Sequence, residues 1–376
     1  METTSIQVCW AGAPPGRLTV DAGEAAASID GAGGAGGIVV EGLRPGATVA
    51  VRLRAEGRPP VGLGHVTTLR PPPGRELCRF AAFNDLHIGA REFGTLRPLR
   101  EADHADPHPV RCARAAVAEA AAWGATAFVV KGDLTQAGRP NEWAAVADLL
   151  AAPGLPVLAI EGNHETKLAS VDGRAIMAAR GLRLVVRPGV LDLPGIRVVG
   201  VPTARWHGDP GWISREAIGE SASLIHDAPA AFVALHHYPQ RFRFPTLYPT
   251  GIPGNVAHRA LDAWADANPA TLVVAGHSHR HRRHDYRTLV LAESGSTKDF
   301  PGSWTGYTVY EGGIMQTTRR VLDPAAIAWT EQGRHVLGGV WGWWAPGRLD
   351  DRCFTHVWPA VPRRQRAPVL TVPDQR

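Results

Sequence analysis

The sequence predicts an α/β domain with a small all-β segment in front of it. Three observations carry this. The first 70 or so residues alternate apolar and polar side chains without a helical period. Pro71-Pro72-Pro73-Gly74 then interrupts the chain as a stiff linker. From Leu77 onward, short apolar runs alternate with Ala-rich helical stretches, the pattern of an α/β domain.

In the N-terminal segment the candidate strands are residues 6–10, 48–54 and 65–69. Turn-rich stretches separate them, namely Ala13-Pro14-Pro15-Gly16 and the glycine-laden run 30–37. The stretch Gly42-Leu43-Arg44-Pro45-Gly46-Ala47-Thr48-Val49-Ala50-Val51 resembles the turn into the sixth strand of a fibronectin type III module. Val49 stands where such modules carry a corner tyrosine. This reading makes residues 1–74 a fibronectin type III-like β-sandwich.

Beyond the linker, residues 78–83, 127–130, 157–160, 198–201, 232–235 and 272–275 read as strands. Residues 110–123, 142–150, 215–226 and 258–268 read as helices. After Arg287 the chain turns β-rich again at 288–292, 307–310 and 314–319.

Polar residues cluster where apolar strands end. Successive strands run into Asn84-Asp85-Leu86-His87, Gly132-Asp133-Leu134-Thr135, Gly162-Asn163-His164-Glu165, His236-His237 and Gly276-His277-Ser278-His279. Ligands of open α/β sheets bind at the carboxyl ends of strands. Aspartate oxygen, asparagine carbonyl and imidazole nitrogen together suit borderline divalent ions such as Mn, Fe, Zn, Co or Ni. Two such ions about 3.5–4 Å apart clamp the attacking and leaving oxygens of an in-line displacement at phosphorus. Gly132, Gly162 and Gly276 precede the ligand candidates and permit close backbone approach.

The ordered blocks D-x-H, G-D, G-N-H-E, H and G-H-x-H, from Asp85 to His279, resemble the calcineurin-like metallophosphoesterases. The stretch Gly132 to Pro140, followed by Glu142-Trp143, is most similar to their class III cyclic-nucleotide phosphodiesterase branch. The resemblance implies a four-layer α/β/β/α domain over residues 76–320 and two divalent metal ions (Mn, Fe or Zn). It implies a first ion on Asp85, His87, His279 and a bridging Asp133. A second would take Asp133, Asn163, His277 and one of His236 and His237; His236 is favoured because it directly continues its strand. His164 is similar to the histidine that contacts phosphate and protonates the leaving oxygen, so the catalytic pair is His164 and Asp133. Glu165 resembles a residue that orients a histidine. Purple acid phosphatases also join a fibronectin-like domain to this fold. They carry a tyrosine ligand where this chain has Gln136, and a glycine where it has His87. The domain order is therefore similar to theirs while the metal set is not.

The reaction implied is hydrolysis of a phosphodiester by a metal-bound hydroxide. A phosphomonoesterase or a nuclease is the alternative on the same centre, and a non-catalytic binding scaffold stands furthest off. The partner expected is a small phosphate ester, with nucleic acid second. The net charge of +5 and pI of about 9.3 come from scattered arginines, read as a solvated surface. Four cysteines form no CxxC pair. There is no basic-then-apolar leader and no run of roughly 20 apolar residues. A soluble, cytoplasmic protein with no membrane partner is expected. Three features have open roles. His104 and His108 read as a lid or a solvated loop, and Arg280 to His284 as an exposed hairpin turn. The Trp-rich segment 321–376, with Trp329, Trp341, Trp343, Trp344 and Trp358, reads as packing on the core; the alternative is a wall that stacks a base. Its last residues, 362–376, read as a frayed tail.

Overall fold

The computed structural model describes residues 1–94, 99–167, 172–205, 208–240 and 249–359. The proposed tail at 362–376 lies outside the described residues.

Six strands come first: β1 (Ser5–Ala13), β2 (Gly16–Ala22), β3 (Ala25–Gly31), β4 (Gly34–Glu41), β5 (Thr48–Ala55) and β6 (Val61–Thr67). They form a four-stranded sheet, β3-β2-β5-β6, and an antiparallel pair, β1-β4. Ile6, Val20, Val40 and Val51 are buried between the two. The glycine-laden run 30–37 reads as a turn in the sequence, yet from Gly34 it is strand β4. A side chain at Gly36 would meet the Trp10 indole at 2.9 Å, and one at Gly37 would meet Leu322 at 2.7 Å. Close packing, not turn geometry, explains those glycines.

The α/β part holds two sheets. Its strands are β7 (Glu76–Phe83), a short ribbon of β8 (Glu92–Phe93) and β9 (Leu99–Arg100), β10 (Phe128–Lys131), β11 (Val157–Ile160) and β12 (Arg183–Val185). Then come β13 (Gly189–Leu193), β14 (Ile196–Gly200), β15 (Ala231–Ala234), β16 (Thr271–Ala275), β17 (Arg282–Tyr286) and β18 (Leu289–Glu293). Last are β19 (Ser303–Tyr310), β20 (Gly313–Arg320) and β21 (Phe354–Val357). One sheet has the order β12-β11-β10-β7-β19-β20-β21 and the other β13-β14-β15-β16-β18-β17. Helices α1 (His108–Ala122) and α2 (Pro140–Ala151) cover the outer face of the first. Two short helices follow, α3 (Asn163–Lys167) and α4 (Gly173–Ala178). Helices α5 (Arg215–His226) and α6 (Gly254–Ala267) cover the second sheet. The layers are therefore α/β/β/α, as expected.

Strand alternation builds these layers. On β7, Phe80 and Ala82 face the other sheet while Ala81 and Phe83 face the helices. Helix α1 buries Cys112, Ala113, Ala116, Val117 and Ala120, a stripe at helical spacing. At the seam between sheets, Phe80 stacks on Tyr307 at 5.0 Å and meets Phe232 edge-on at 5.0 Å.

The segment after Arg320 wraps back over the domain. It forms α7 (Pro324–Gln332), a 3-10 stretch (Gly333–Gly339), α8 (Val340–Trp344) and α9 (Leu349–Arg352), then closes the sheet edge as β21. The N-terminal strands dock beside β20. Gln7 Nε2 donates to the Arg320 carbonyl at 2.9 Å, and Arg320 N donates to Gln7 Oε1 at 2.8 Å. Glu2 pairs with Arg319. Among the described residues no helix is long and apolar enough to cross a membrane.

Phe80 is fully buried where the two sheets meet. Phe80→Ala should cost about 3–5 kcal/mol and lower the urea midpoint with little change in slope. An unchanged midpoint would show that the seam does not hold the sheets together.

Candidate metal centre

The two sheets present their carboxyl ends to one edge, and the chain delivers side chains from each. The loop after β7 runs alongside the loop after β10. Asp85 N donates to the Gly132 carbonyl at 3.1 Å, and His87 N to the Asp133 carbonyl at 2.8 Å. Asp85, His87, Asp133, His277 and His279 all have left-handed backbones, with φ between 47° and 66°. Such conformations cost non-glycine residues free energy and persist where the surroundings over-determine them. Here they turn each side chain inward straight off its strand. Gly132, itself at φ 83°, leaves room for the His236 ring, which a Cβ would approach to 2.5 Å. A Cβ on Gly162 would lie 2.2 Å from Asp133 Oδ1.

The inward groups stand at ligand spacing. Two donors about 2.1 Å from one ion lie roughly 3.0–3.5 Å apart. His87 Nε2 is 3.3 Å from His279 Nε2 and 3.5 Å from Asp133 Oδ2. His279 Nε2 is 3.6 Å from Asp85 Oδ1. On the other side, His236 Nε2 is 3.0 Å from Asn163 Oδ1 and 3.3 Å from Asp133 Oδ1. Asp85, His87 and His279 form one group able to hold a cation, and His236, His237 and His277 form another. Nε2 of His237 and of His277 are buried without a hydrogen-bond partner, as expected of atoms that face an ion. The donor set fits two divalent metals.

Neighbours orient these rings through their other nitrogen. His236 Nδ1 meets the Lys131 carbonyl at 2.9 Å, and His237 Nδ1 meets Thr203 Oγ1 at 2.8 Å. His87 Nδ1 meets Gln136 Oε1 at 3.1 Å. His279 Nδ1 lies 2.8 Å from Asp299 Oδ2, which also accepts from Lys298 Nζ at 3.1 Å. Asp299 was not anticipated from the sequence. It follows β18, a sixth strand pointing at the same edge, but Ser294-Gly295-Ser296-Thr297 reads as an ordinary turn. Glu165 differs from the expectation. It accepts from Thr135 N and Gly162 N, each at 2.7 Å, and from Thr135 Oγ1 at 2.8 Å. It therefore ties together the two loops that carry Asp133 and Asn163 and orients no histidine directly.

Burial sets the electrostatics. It pushes the His87, His237 and His277 imidazoles well below their ordinary range, so they are neutral. Burial also disfavours charge on His236, but the Asp133 and Asp85 carboxylates overcome this and lift it to about 9. Burial lifts Asp299, yet His279 and Lys298 pull it down to about 2. Burial alone pushes Lys131, locked on the Ala275 carbonyl and Ser294 Oγ, down to about 7 against the pull of Asp85.

The surrounding cavity has a volume of about 860 Å³. His164 lines it, with Nδ1 2.9 Å from the Gln136 carbonyl and its backbone N donating to Asp133 Oδ1 at 3.0 Å. His108 is neither lid nor solvated loop: it is fully buried, 3.3 Å from Glu101 and stacked on Trp329 at 3.8 Å. The basic run is split. It is not the expected exposed turn: Arg280 and His281 are buried, with Arg280 paired to Glu293 at 3.2 Å, while residues 282–284 lie on β17, whose turn to β18 comes only after Tyr286. Trp329 packs in the core, whereas Trp341 and Trp344 line the cavity and Trp343 is exposed.

Asp299→Asn should weaken metal affinity about 10–100-fold in chelator competition while leaving the far-UV spectrum unchanged. An unchanged affinity would remove Asp299 from the centre. In the metal-free chain His236 is protonated below about 9. Metal uptake at pH 7.5 should therefore release a proton, and apparent affinity should fall as pH falls. Calorimetric titration in two buffers of different ionisation enthalpy reads this directly, and identical heats would contradict it. By the same linkage, the metal-free fold gains stability from His236 that is fully present below 6.5 and lost as pH rises through about 9.

The family model for calcineurin-like phosphoesterases matches residues 78–281. A curated relative, glycerophosphodiester phosphodiesterase GpdQ of Enterobacter lignolyticus (strain SCF1), is 26% identical over 171 residues. That match covers 44% of this chain and 60% of the relative's length. A dimetal phosphatase from Danio rerio superposes with a TM-score of 0.52 at 14% identity, covering 66% of this chain and 98% of that one. At that identity the likeness is one of fold. With its matched span holding every strand-end block, the chain belongs to the calcineurin-like phosphoesterase family.

Proposed function

We propose that this chain is a dinuclear metal-dependent phosphodiesterase acting on a small phosphate ester. The observation that carries the reading is the gathering of Asp85, His87, Asp133, Asn163, His236, His277 and His279 at ligand spacing, with His164 facing the same cavity. Asp85, His87, His279 and Asp133 would hold one ion, and Asp133, Asn163, His277 and His236 the other, with His237 the alternative to His236. Nitrogen and oxygen donors of this kind suit Mn, Fe or Zn. When bound, such ions neutralise the phosphate oxygens and lower the pKa of a water.

The remaining work falls to the chain's own side chains. His164 Nδ1–H donates to the Gln136 carbonyl, which leaves Nε2 facing the cavity. As an imidazolium it delivers its Nε2 proton to the departing ester oxygen. Asp133 is held ionised despite its burial, chiefly by the His236 imidazole 3.3 Å away, so it could bridge two ions. A diester is favoured over a monoester by the curated phosphodiesterase relative and by the block from Gly132 to Trp143. A cavity of about 860 Å³ also has room for two ester arms. Nucleic acid is disfavoured, because Arg91 and Lys298 are the cavity's cationic side chains among the described residues and both are engaged within the protein.

The organisation that goes with this reading has three parts. Residues 1–74 are a reduced fibronectin type III-like sandwich, supported by two sheets closing on one core. Residues 76–320 are the catalytic domain and 321–376 its Trp-rich extension. Free thiols at all four cysteines accord with the reducing cytoplasm.

Chain stripped of metal and reloaded with Mn²⁺ should hydrolyse bis-p-nitrophenyl phosphate faster than p-nitrophenyl phosphate. Asp133→Asn should lower kcat/KM by roughly two orders of magnitude or more. Preference for the monoester would make the protein a phosphatase instead.

A further inference from the structure

The family's metal centre occupies one end of the cavity, and the other end is unlike it. There the lining is Phe93, Val336, Leu337, Val340, Trp341 and Trp344. A chain of contacts joins the two ends. Asp299 bonds both His279 and Lys298, Lys298 Nζ lies 4.9 Å over the Phe93 ring, and Phe93 meets Trp341 at 5.6 Å and Trp344 follows at 5.5 Å.

The backbone of this wall is strained in a telling way. Leu337, Gly338 and Gly339 take φ of 56°, 66° and 90° in succession. Leu337 is 52% exposed and Val340 55% exposed, and both line the cavity. A left-handed leucine held in water on a functional cavity calls for an apolar partner. The wall offers little to read a nucleobase. The Trp341 Nε1 proton is already given to the Phe300 carbonyl at 3.2 Å. Trp344 lies under the Arg280 guanidinium, at 4.5 Å, and that guanidinium is paired with Glu293. The aliphatic members have no polar group to offer a base edge.

We propose that the substrate is an amphiphilic phosphodiester, one arm of which is a single apolar chain lying along the wall from Phe93 to Leu337. The metal end takes the phosphate, and the chain leaves the cavity over Leu337 and Val340. This inference rests on the phosphodiesterase reading above and narrows it to tailed substrates.

The test is a series of methyl, butyl and octyl p-nitrophenyl phosphates, below their aggregation limits, on the full Mn²⁺-loaded chain. Full burial of a methylene is worth about fourfold in binding. Partial burial along an open wall should therefore raise kcat/KM by roughly tenfold or more from butyl to octyl, chiefly through KM. Val340→Asp, at a half-exposed position where folding is not at stake, should reduce the octyl-to-methyl ratio about fivefold or more. A ratio near one, the same ratio in the variant, or faster turnover of a cyclic nucleotide than of the octyl diester would overturn the proposal. If no member of the series is hydrolysed, the phosphodiesterase reading itself fails. Quenching of indole fluorescence by octylphosphonate against methylphosphonate then decides the wall alone: tighter octyl binding supports it, and equal binding overturns it.

Discussion

The rest of the structure depends on holding Asp85, Asp133 and a cluster of imidazoles together in a buried space. Bare, such a set is costly, because each charge has lost its water. Protein donors offset part of that cost. Asp85 accepts from His277 N at 3.1 Å, and Asp133 accepts from His164 N. Cations would offset the rest, and among the site's imidazoles His277 Nε2 is buried without a hydrogen-bond partner, as a ligand atom awaiting one would be. The strained backbones at five of these residues are carried by β7, β10 and β16, whose cores are fully buried. The sheets are thus less a container for the site than the source of the stability that its conformations consume.

How much of this was legible in the sequence follows from where the signal lies. Strand ends could be read because a fully buried strand is a continuous apolar run, and an Asp, Asn or His immediately after it stands out. The same logic failed at β18. Its apolar run was seen, but Lys298 and Asp299 sit five and six residues past its end, behind a stretch that resembles any turn. Strands β3 and β4 escape a sequence reading because glycines and alanines carry almost no alternation, whereas β2 does alternate, burying Leu18, Val20 and Ala22 between polar neighbours, and is legible in retrospect. His108 was misplaced for another reason: its burial depends on Trp329, more than two hundred residues on, and no local pattern reports that contact.

The C-terminal segment shows how support and shape are combined. Trp329 on α7 donates to the Lys298 carbonyl at 3.0 Å and stacks on His108 at the start of α1. It therefore braces, from behind, the loop that carries the Asp299 carboxylate to His279. A few residues later the same segment leaves the core and forms the aromatic side of the cavity. Packing and wall, which composition alone presents as rival roles for the tryptophans, are successive parts of one path.

Substrate choice should accordingly reside outside the shared blocks. On the proposed function, the residues from Asp85 to His279 would take the phosphate and leave its ester arms to other surfaces. Discrimination between ester arms needs surfaces that touch them, and the apolar lining of this cavity comes from Phe93 on β8 and from Val336, Leu337, Val340, Trp341 and Trp344. The second of these lies beyond the span matched by the family model, which ends at residue 281. A relative can share the whole metal centre and differ wholly in this wall. The physics of the two parts differs as well: charge and ligand geometry at the metal end tolerate almost no change, whereas burial of apolar area is graded and can be tuned one side chain at a time.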